Sequence, residues 1–259
     1  MMSKKSKDCL GERMKDIESR TRYYLPRRTY NVLRLDGKSF HTFTKKYEKP
    51  FDMRILLSMQ HAAIKLCDEV MGCKIGYTQS DEISLCMTDF DDIETQAYFD
   101  GNIQKICSVS ASIATAHFND KLRDLGVQEK TLACFDARIY STSDPWEAYN
   151  AFLWRQNDAV RNSIQGIAQS LFAHKQLQGK NCTILKEMIA EKGSPWEEYS
   201  PMCKWGAFIV KGERNWIADK NSPLIIQNKK YFFDRIPLLE GVKEIYSIKN
   251  ETQSNTGRV

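Results

Sequence analysis

The sequence is poor in glycine and proline, with 13 and 7 in 259 residues, too few for a collagen-like or linker-rich chain. No apolar run approaches the roughly 18–20 residues that a membrane helix needs. Met1 to Asp8 is lysine-rich and polar with no apolar run behind it, so no secretory signal is expected. Eight cysteines stand at positions 9, 67, 73, 86, 107, 134, 182 and 203, and no two form a C-x-x-C pair. A zinc knuckle therefore has no ligand framework. Several of these cysteines fall at apolar positions of predicted elements, where a thiol acts as a small hydrophobe. They are read as reduced, which points to a cytoplasmic protein; a disulfide scaffold is the alternative. The four histidines, His41, His61, His117 and His174, lack metal-ligand spacing. There is no G-x-S-x-G, no paired Cys–His arrangement and no Walker A loop.

What is present is a foldable chain. Hydrophobic residues make up 42% and aromatics 11%, too much apolar material for a disordered polymer. The length suits one large domain or two small ones. The net charge of +5 is modest but uneven. Residues 1–49 hold 14 Lys/Arg against 6 Asp/Glu, whereas residues 81–100 hold seven acids and no base. A basic entry segment beside an acidic stretch suits a protein that handles phosphates and metal ions; a solvated basic arm is the plainer explanation.

The first half reads as a series of elements. Residues 30–36 (YNVLRLD) alternate as a strand. Asp52 to Met71 is a helix, with Ile55, Met59, Ala63, Leu66 and Val70 at helical spacing and Asp52 as its cap. Residues 74–78 and 83–88 are short strands joined by a hairpin at 79–82. Residues 101–118 form a second helix and 131–140 (TLACFDARIY) a fourth strand. That order is β-α-β-β-α-β, a ferredoxin-like α+β unit. Beyond it, Ser143-Asp144-Pro145 starts a long helix to about His174, with a break expected near Gly166. Residues 181–191 read as a helix, 204–211 and 231–233 as strands, and 250–259 as a frayed polar end. We divide the chain into a catalytic core at 1–140 and a helical and strand extension at 141–259, packed as one unit.

This topology carries a chemical expectation. Strand 1 lies beside strand 3 and antiparallel to it, so Asp36, ending strand 1, should approach Asp81 and Glu82 before strand 3. Two adjacent carboxylates repel unless a cation lies between them, and magnesium prefers oxygen ligands. Two such ions clamp the attacking and leaving oxygens of a phosphoryl or nucleotidyl transfer. Ordinary turn and strand-end acids are the other reading. Gly37-Lys38-Ser39-Phe40-His41 leaves the strand with a glycine, which lets backbone approach a phosphate. Lys49 and Arg54 add cations nearby, with Arg54 in the first turn of a helix.

The segments RLDGKSFHTF (34–43), KPFDMR (49–54) and GYTQSDEISL (76–85) resemble the tRNA-His guanylyltransferase family and its Thg1-like relatives. FDARIY (135–140) and WRQNDAVRNS (154–163) match further motifs, and MCKWGAFIVK (202–211) matches one more loosely. The resemblance implies a polymerase-like palm and an enzyme that adds nucleotides to the 5′ end of tRNA, growing it 3′ to 5′. It implies activation of a 5′-monophosphate by ATP or GTP, then attack by the 3′-hydroxyl of an incoming GTP. It places two Mg²⁺ on Asp36, the Gly37 carbonyl and Asp81, with Glu82 as a supporting acid. Residues Lys38, Ser39, Phe40, His41 and Lys49 match the triphosphate-contacting segment, Ser80 helps place the nucleotide, and Asn162 matches an important asparagine. A tRNA is large for a 30.0 kDa chain, so an oligomer is expected, and the resemblance implies a homotetramer.

Eukaryotic members carry D-C-H-I-N-N where this chain has Asp158-Ala159-Val160-Arg161-Asn162-Ser163. Val160 replaces the histidine, which favours template-dependent repair of 5′-truncated tRNAs over strict work on tRNA-His. For RNA contact the candidates are Lys105, Arg138, Arg155, Asn162, Lys204 and the arm at 20–28, with Tyr23 and Tyr24 for stacking and Trp154 assigned to the core. Two other classes share parts of this pattern. A nucleotide cyclase would carry a G-G-D-E-F-like turn, absent at 79–82. An RRM-type binding module would need aromatics on strand 3, which reads ISLCM.

Overall fold

The computed structural model describes residues 9–238. Its strands are β1 (Tyr30–Gly37), β2 (Cys73–Gln79), β3 (Glu82–Met87), β4 (Phe135–Thr142), β5 (Ala207–Lys211) and β6 (Trp216–Ala218). Its helices are α1 (Leu10–Ser19), α2 (Phe40–Phe43), α3 (Met53–Glu69), α4 (Ile103–Asp124), α5 (Pro145–Leu171), α6 (His174–Leu177), α7 (Cys182–Glu191), α8 (Pro201–Lys204) and α9 (Lys229–Phe233). The strands form one sheet in the order β4-β1-β3-β2-β5-β6, each pair antiparallel. Its first four strands are the ferredoxin-like unit expected from the sequence. The 250–259 tail and Met1 to Asp8 lie outside the described residues.

Strand alternation divides the core between the two faces of this sheet. Leu33, Leu35, Ile83 and Leu85 point to one side and pack with Met59 and Leu66 of α3 and Phe118 of α4. Tyr30, Val32, Ile75, Tyr77 and Cys86 point to the other and meet Tyr149 and Phe152 of α5. Each fully buried residue of this size contributes roughly 1.5–3 kcal/mol. Local chemistry sets the helix starts. Asp52 Oδ1 accepts from the Arg54 N–H at 2.9 Å, Asn102 caps α4, and Asp144 caps α5 with Pro145 at the first position. Among the described residues no helix is long and apolar enough to cross a membrane.

Three expectations are corrected. Residues 231–233 are helical, within α9, because Phe232 and Phe233 both anchor on α5, which an alternating strand would not allow. The strand expected from 204 begins at Ala207. Lys204 ends α8, and Gly206 turns the chain at φ +79, where a Cβ would lie 2.5 Å from the Thr78 carbonyl. Helix α5 runs unbroken through Gly166. That glycine has no neighbour within 4 Å of a Cβ, so nothing there bends the helix. Helix α1 and strand β6 were not expected from the sequence.

Candidate active site

The register of the central strands builds an acidic edge. Asp36 lies opposite Glu82 on β3 and opposite Asp136 on β4, so three carboxylate residues form one row across the sheet. The β2–β3 connection has two residues, Ser80 and Asp81, and Ser80 sits in the left-handed region at φ 49. A non-glycine residue there costs about 1–2 kcal/mol, held by the strands on either side. The Gly37 N–H donates to the Asp81 carbonyl at 3.0 Å, which fixes the turn against the end of β1. Asp36 and Asp81 therefore share one edge although 45 positions separate them.

The electrostatics follow from that crowding. Burial raises the Asp81 carboxyl above its ordinary range, and the charges of Asp36 and Glu82 push it further. A hydrogen bond from the Ser80 hydroxyl, at 2.9 Å, offsets part of this. Glu82 is paired. Arg155 Nε donates to Glu82 Oε2 at 2.7 Å, and Nη2 donates to Glu82 Oε1 at 3.0 Å and to Asp158 Oδ2 at 2.7 Å. Glu82 is thus braced by α5, while Asp36 and Asp81 lie close enough for their charges to act on each other, and neither makes a salt bridge among the described residues.

That donor set fits magnesium. Among the described residues no group of three or more His, Cys, Asp or Glu side chains is arranged to hold a metal ion. Two carboxylates and a backbone carbonyl are hard oxygen donors, and they leave positions for phosphate oxygens and water, which is how magnesium is held in nucleotide sites.

Beside Asp81 opens a cleft of about 470 Å³, within the range of small-molecule sites. His41, Lys49, Ser80, Asp81 and Asn162 line it, together with Phe51, Tyr47 and Gln165. The Lys49 Nζ donates to the Thr44 carbonyl at 3.2 Å. Four residues expected in the nucleotide site, Phe40, His41, Lys49 and Ser80, therefore meet at one cavity with Asp81, expected as a metal ligand, and Asn162, expected as an RNA contact. Others are placed elsewhere. Lys38 and Ser39 line a second groove of about 790 Å³ with Lys45, Lys46 and Lys130. Phe40 borders the cleft, but its ring is buried and packed on Phe118 and Phe135. The glycine at 37 is required by that ring, since a Cβ would lie 2.1 Å from Phe40 Cδ2. Phosphate approach is not needed to explain it. Arg54 does not line the cleft; it pairs with Asp52 at 2.5 Å and lies over the Tyr47 ring.

The expected RNA contacts also separate. Lys105 and Arg138 are exposed, and Asn162 belongs to the cleft. Arg155 is corrected: its side chain is 7% exposed and consumed by two carboxylates. Lys204 is corrected as well. It is buried, its Nζ donates to the Glu197 carbonyl at 2.8 Å, and it lies over Trp196 and Trp205. Asp136 was missed by sequence reasoning. The alternation of FDARIY could have found it, because Asp136 and Arg138 share a face of β4.

A split βαβ sheet with two carboxylates at one edge and a nucleotide-sized cleft beside them is an arrangement that suits a nucleotidyltransferase. A family model described as tRNAHis guanylyltransferase (Thg1) matches residues 11–143. The tRNA(His) guanylyltransferase of Debaryomyces hansenii is 29% identical over 217 residues, 77% of this chain and 79% of its own length. A solved bacterial Thg1-like protein in complex with ATP is 40% identical with a TM-score of 0.85, covering 89% of this chain and 100% of that one. A second such structure, in complex with GTP, is 36% identical with a TM-score of 0.77 and the same coverage. The chain belongs to the tRNA-His guanylyltransferase family.

Proposed function

We propose that this chain adds nucleotides to the 5′ end of tRNA in the 3′–5′ direction, directed by the opposing strand, and so repairs 5′-truncated tRNAs. The observation that carries the reading is the meeting of Asp36 and Asp81 at the edge of the cleft that holds Lys49, Ser80 and Asn162. In this reading Asp36, the Gly37 carbonyl and Asp81 would hold two Mg²⁺ ions, whose chemistry would be to offset the negative charge of the transferring phosphate. Lys49 offers a point charge to a triphosphate, Ser80 and Asn162 offer hydrogen bonds, and the aromatic walls exclude water. The Glu82–Arg155 pair keeps the turn rigid, so Asp36 and Asp81 meet the nucleotide without rearranging. ATP or GTP transfers its nucleoside monophosphate to the 5′-monophosphate with release of pyrophosphate, and the 3′-hydroxyl of GTP or another templated triphosphate then attacks the capped 5′ phosphate, releasing AMP or GMP. ATP and GTP complexes of the two bacterial relatives support this choice of substrates. The homotetramer implied by the resemblance belongs to the same reading, and sedimentation of the intact chain tests it.

Strict addition of one G to tRNA-His is the second reading, favoured by the names of the relatives. Val160 favours repair, because an apolar side chain packed against the α5–α7 core stands where the eukaryotic motif has histidine. The test is incorporation of labelled GTP, with ATP and magnesium, into 5′-monophosphorylated tRNAs lacking their first nucleotide. Addition to truncated tRNAs in general, opposite C and not opposite A, supports repair. Addition confined to tRNA-His replaces it with the second reading.

A further inference from the structure

The α5-facing side of β1 and β4 carries a row of groups that the nucleotide cleft does not use. Arg34 lies opposite Arg138 in the register, and both stand two residues from the Asp36–Asp136 pair, on the same face and about 7 Å along the strands. Tyr140 continues the row on the edge strand and is 43% exposed. Trp154 of α5 completes it, with its ring centroid 5.6 Å from the Arg34 guanidinium carbon. Trp154 was expected in the core, yet it is 55% exposed. Single exposed aromatics are ordinary. Here two sit beside guanidinium groups at the border of the acidic edge.

Arg34 is the telling member. Its Nε is buried and has no hydrogen-bond partner among the described residues. Arg34 also makes no salt bridge among them, whereas Arg138 pairs with Asp136 at 2.8 Å and Arg155 is held by Glu82 and Asp158. A buried donor without a partner is costly, and such groups in native proteins call for an explanation.

We propose that Arg34, Arg138, Tyr140 and Trp154 form the platform that receives the terminal nucleotides of the RNA strand. The two rings stack on bases and the guanidinium groups meet phosphates. This rests on the reading of the chain as an enzyme acting on RNA 5′ ends. Every base has a π face, so stacking accepts any sequence, as repair of many RNAs requires. Phosphate contacts add affinity without choice of base. A protein partner would call for an apolar centre, and this surface sets guanidinium groups beside its two rings. None of the four residues lines the nucleotide cleft, and Arg34 and Arg138 stand two residues from Asp36 and Asp136 along their strands.

The test uses the full chain and an RNA hairpin with a 5′-monophosphate, read by anisotropy, alongside KM for hairpin and for ATP. Trp154→Ala should weaken hairpin binding roughly 5- to 150-fold, the loss a single base stack gives, and leave the ATP KM unchanged. Trp154→Phe keeps a ring and should recover most of the loss. Arg34→Met should flatten the salt dependence by about one phosphate contact. If Trp154→Ala misfolds, Tyr140→Ala on the open edge strand carries the same expectation. Unchanged hairpin affinity in these variants overturns the platform. So does an equal loss toward ATP, which means a structural role, or a changed assembly mass, which means the face covers a second copy. Hairpin binding needs no chemistry. A chain that binds through Trp154 but adds nothing refutes the proposed reaction alone.

Discussion

Replacing Arg155 with methionine would remove three charge-assisted hydrogen bonds while keeping much of the side chain's aliphatic volume. Breaking a buried ion pair costs about 3–5 kcal/mol, because the abandoned carboxylates stay desolvated. The Glu82 and Asp158 side chains are 16% and 20% exposed, so water recovers part of the loss. Asp158 also keeps Arg161. The lower end, about 3 kcal/mol, is therefore expected. For a chain of this size that lowers the melting temperature by roughly 6–12 °C. Glu82→Gln in the Arg155→Met background should recover part of this, since the uncompensated charge is gone. The same change reaches the chemistry. Glu82 already pushes the Asp81 carboxyl upward, and without its arginine the push grows. The acid limb of the pH–rate profile should move to higher pH. Urea melts and activity profiles of the single and double variants measure both effects. A loss below about 1 kcal/mol with no recovery in the double variant would show that solvent screens the pair and that it braces nothing.

Asp81 has a folded pKa above its ordinary 3.8, so the stability it contributes is full below that value and is lost as pH rises through the folded pKa. Asp81→Asn should abolish nucleotide addition yet flatten this pH dependence in melts. Magnesium should raise the melting temperature of the parent but not of this variant. Asp52 has the opposite sign. Hydrogen bonds from Arg54 hold it at about 2, so its contribution is present above the ordinary carboxylate range and is lost as pH falls toward about 2. Asp52→Ala should cost about 1–2 kcal/mol through the lost cap of α3, seen in urea melts at neutral pH. Gly37→Ala should destabilise the fold by about 1–3 kcal/mol, because its Cβ meets the Phe40 ring at 2.1 Å. An alanine variant that melts like the parent would show that the ring moves aside freely.

What the sequence determined is what neighbours in the chain decide. Alternation placed β1, β2 and β3, since a strand with one apolar set on each face admits few registers. Asp52 and Ser143-Asp144-Pro145 marked helix starts because a cap acts within two or three residues. The order of elements then implied that Asp36 and Asp81 meet, as the register shows. Residue types alone could not say which charges are free. Arg155 reads like any basic residue in a tRNA-handling protein until α5 lays it on Glu82, 73 positions away. Lys204 looks solvated until two tryptophans and a carbonyl enclose it. Trp154 looks like core until α5 leaves it open beside Arg34. Residues 231–233 suggest a strand until both phenylalanines find the α5 face. Burial and ion pairing are set by contacts distant in sequence, and those exist only once the layers have packed.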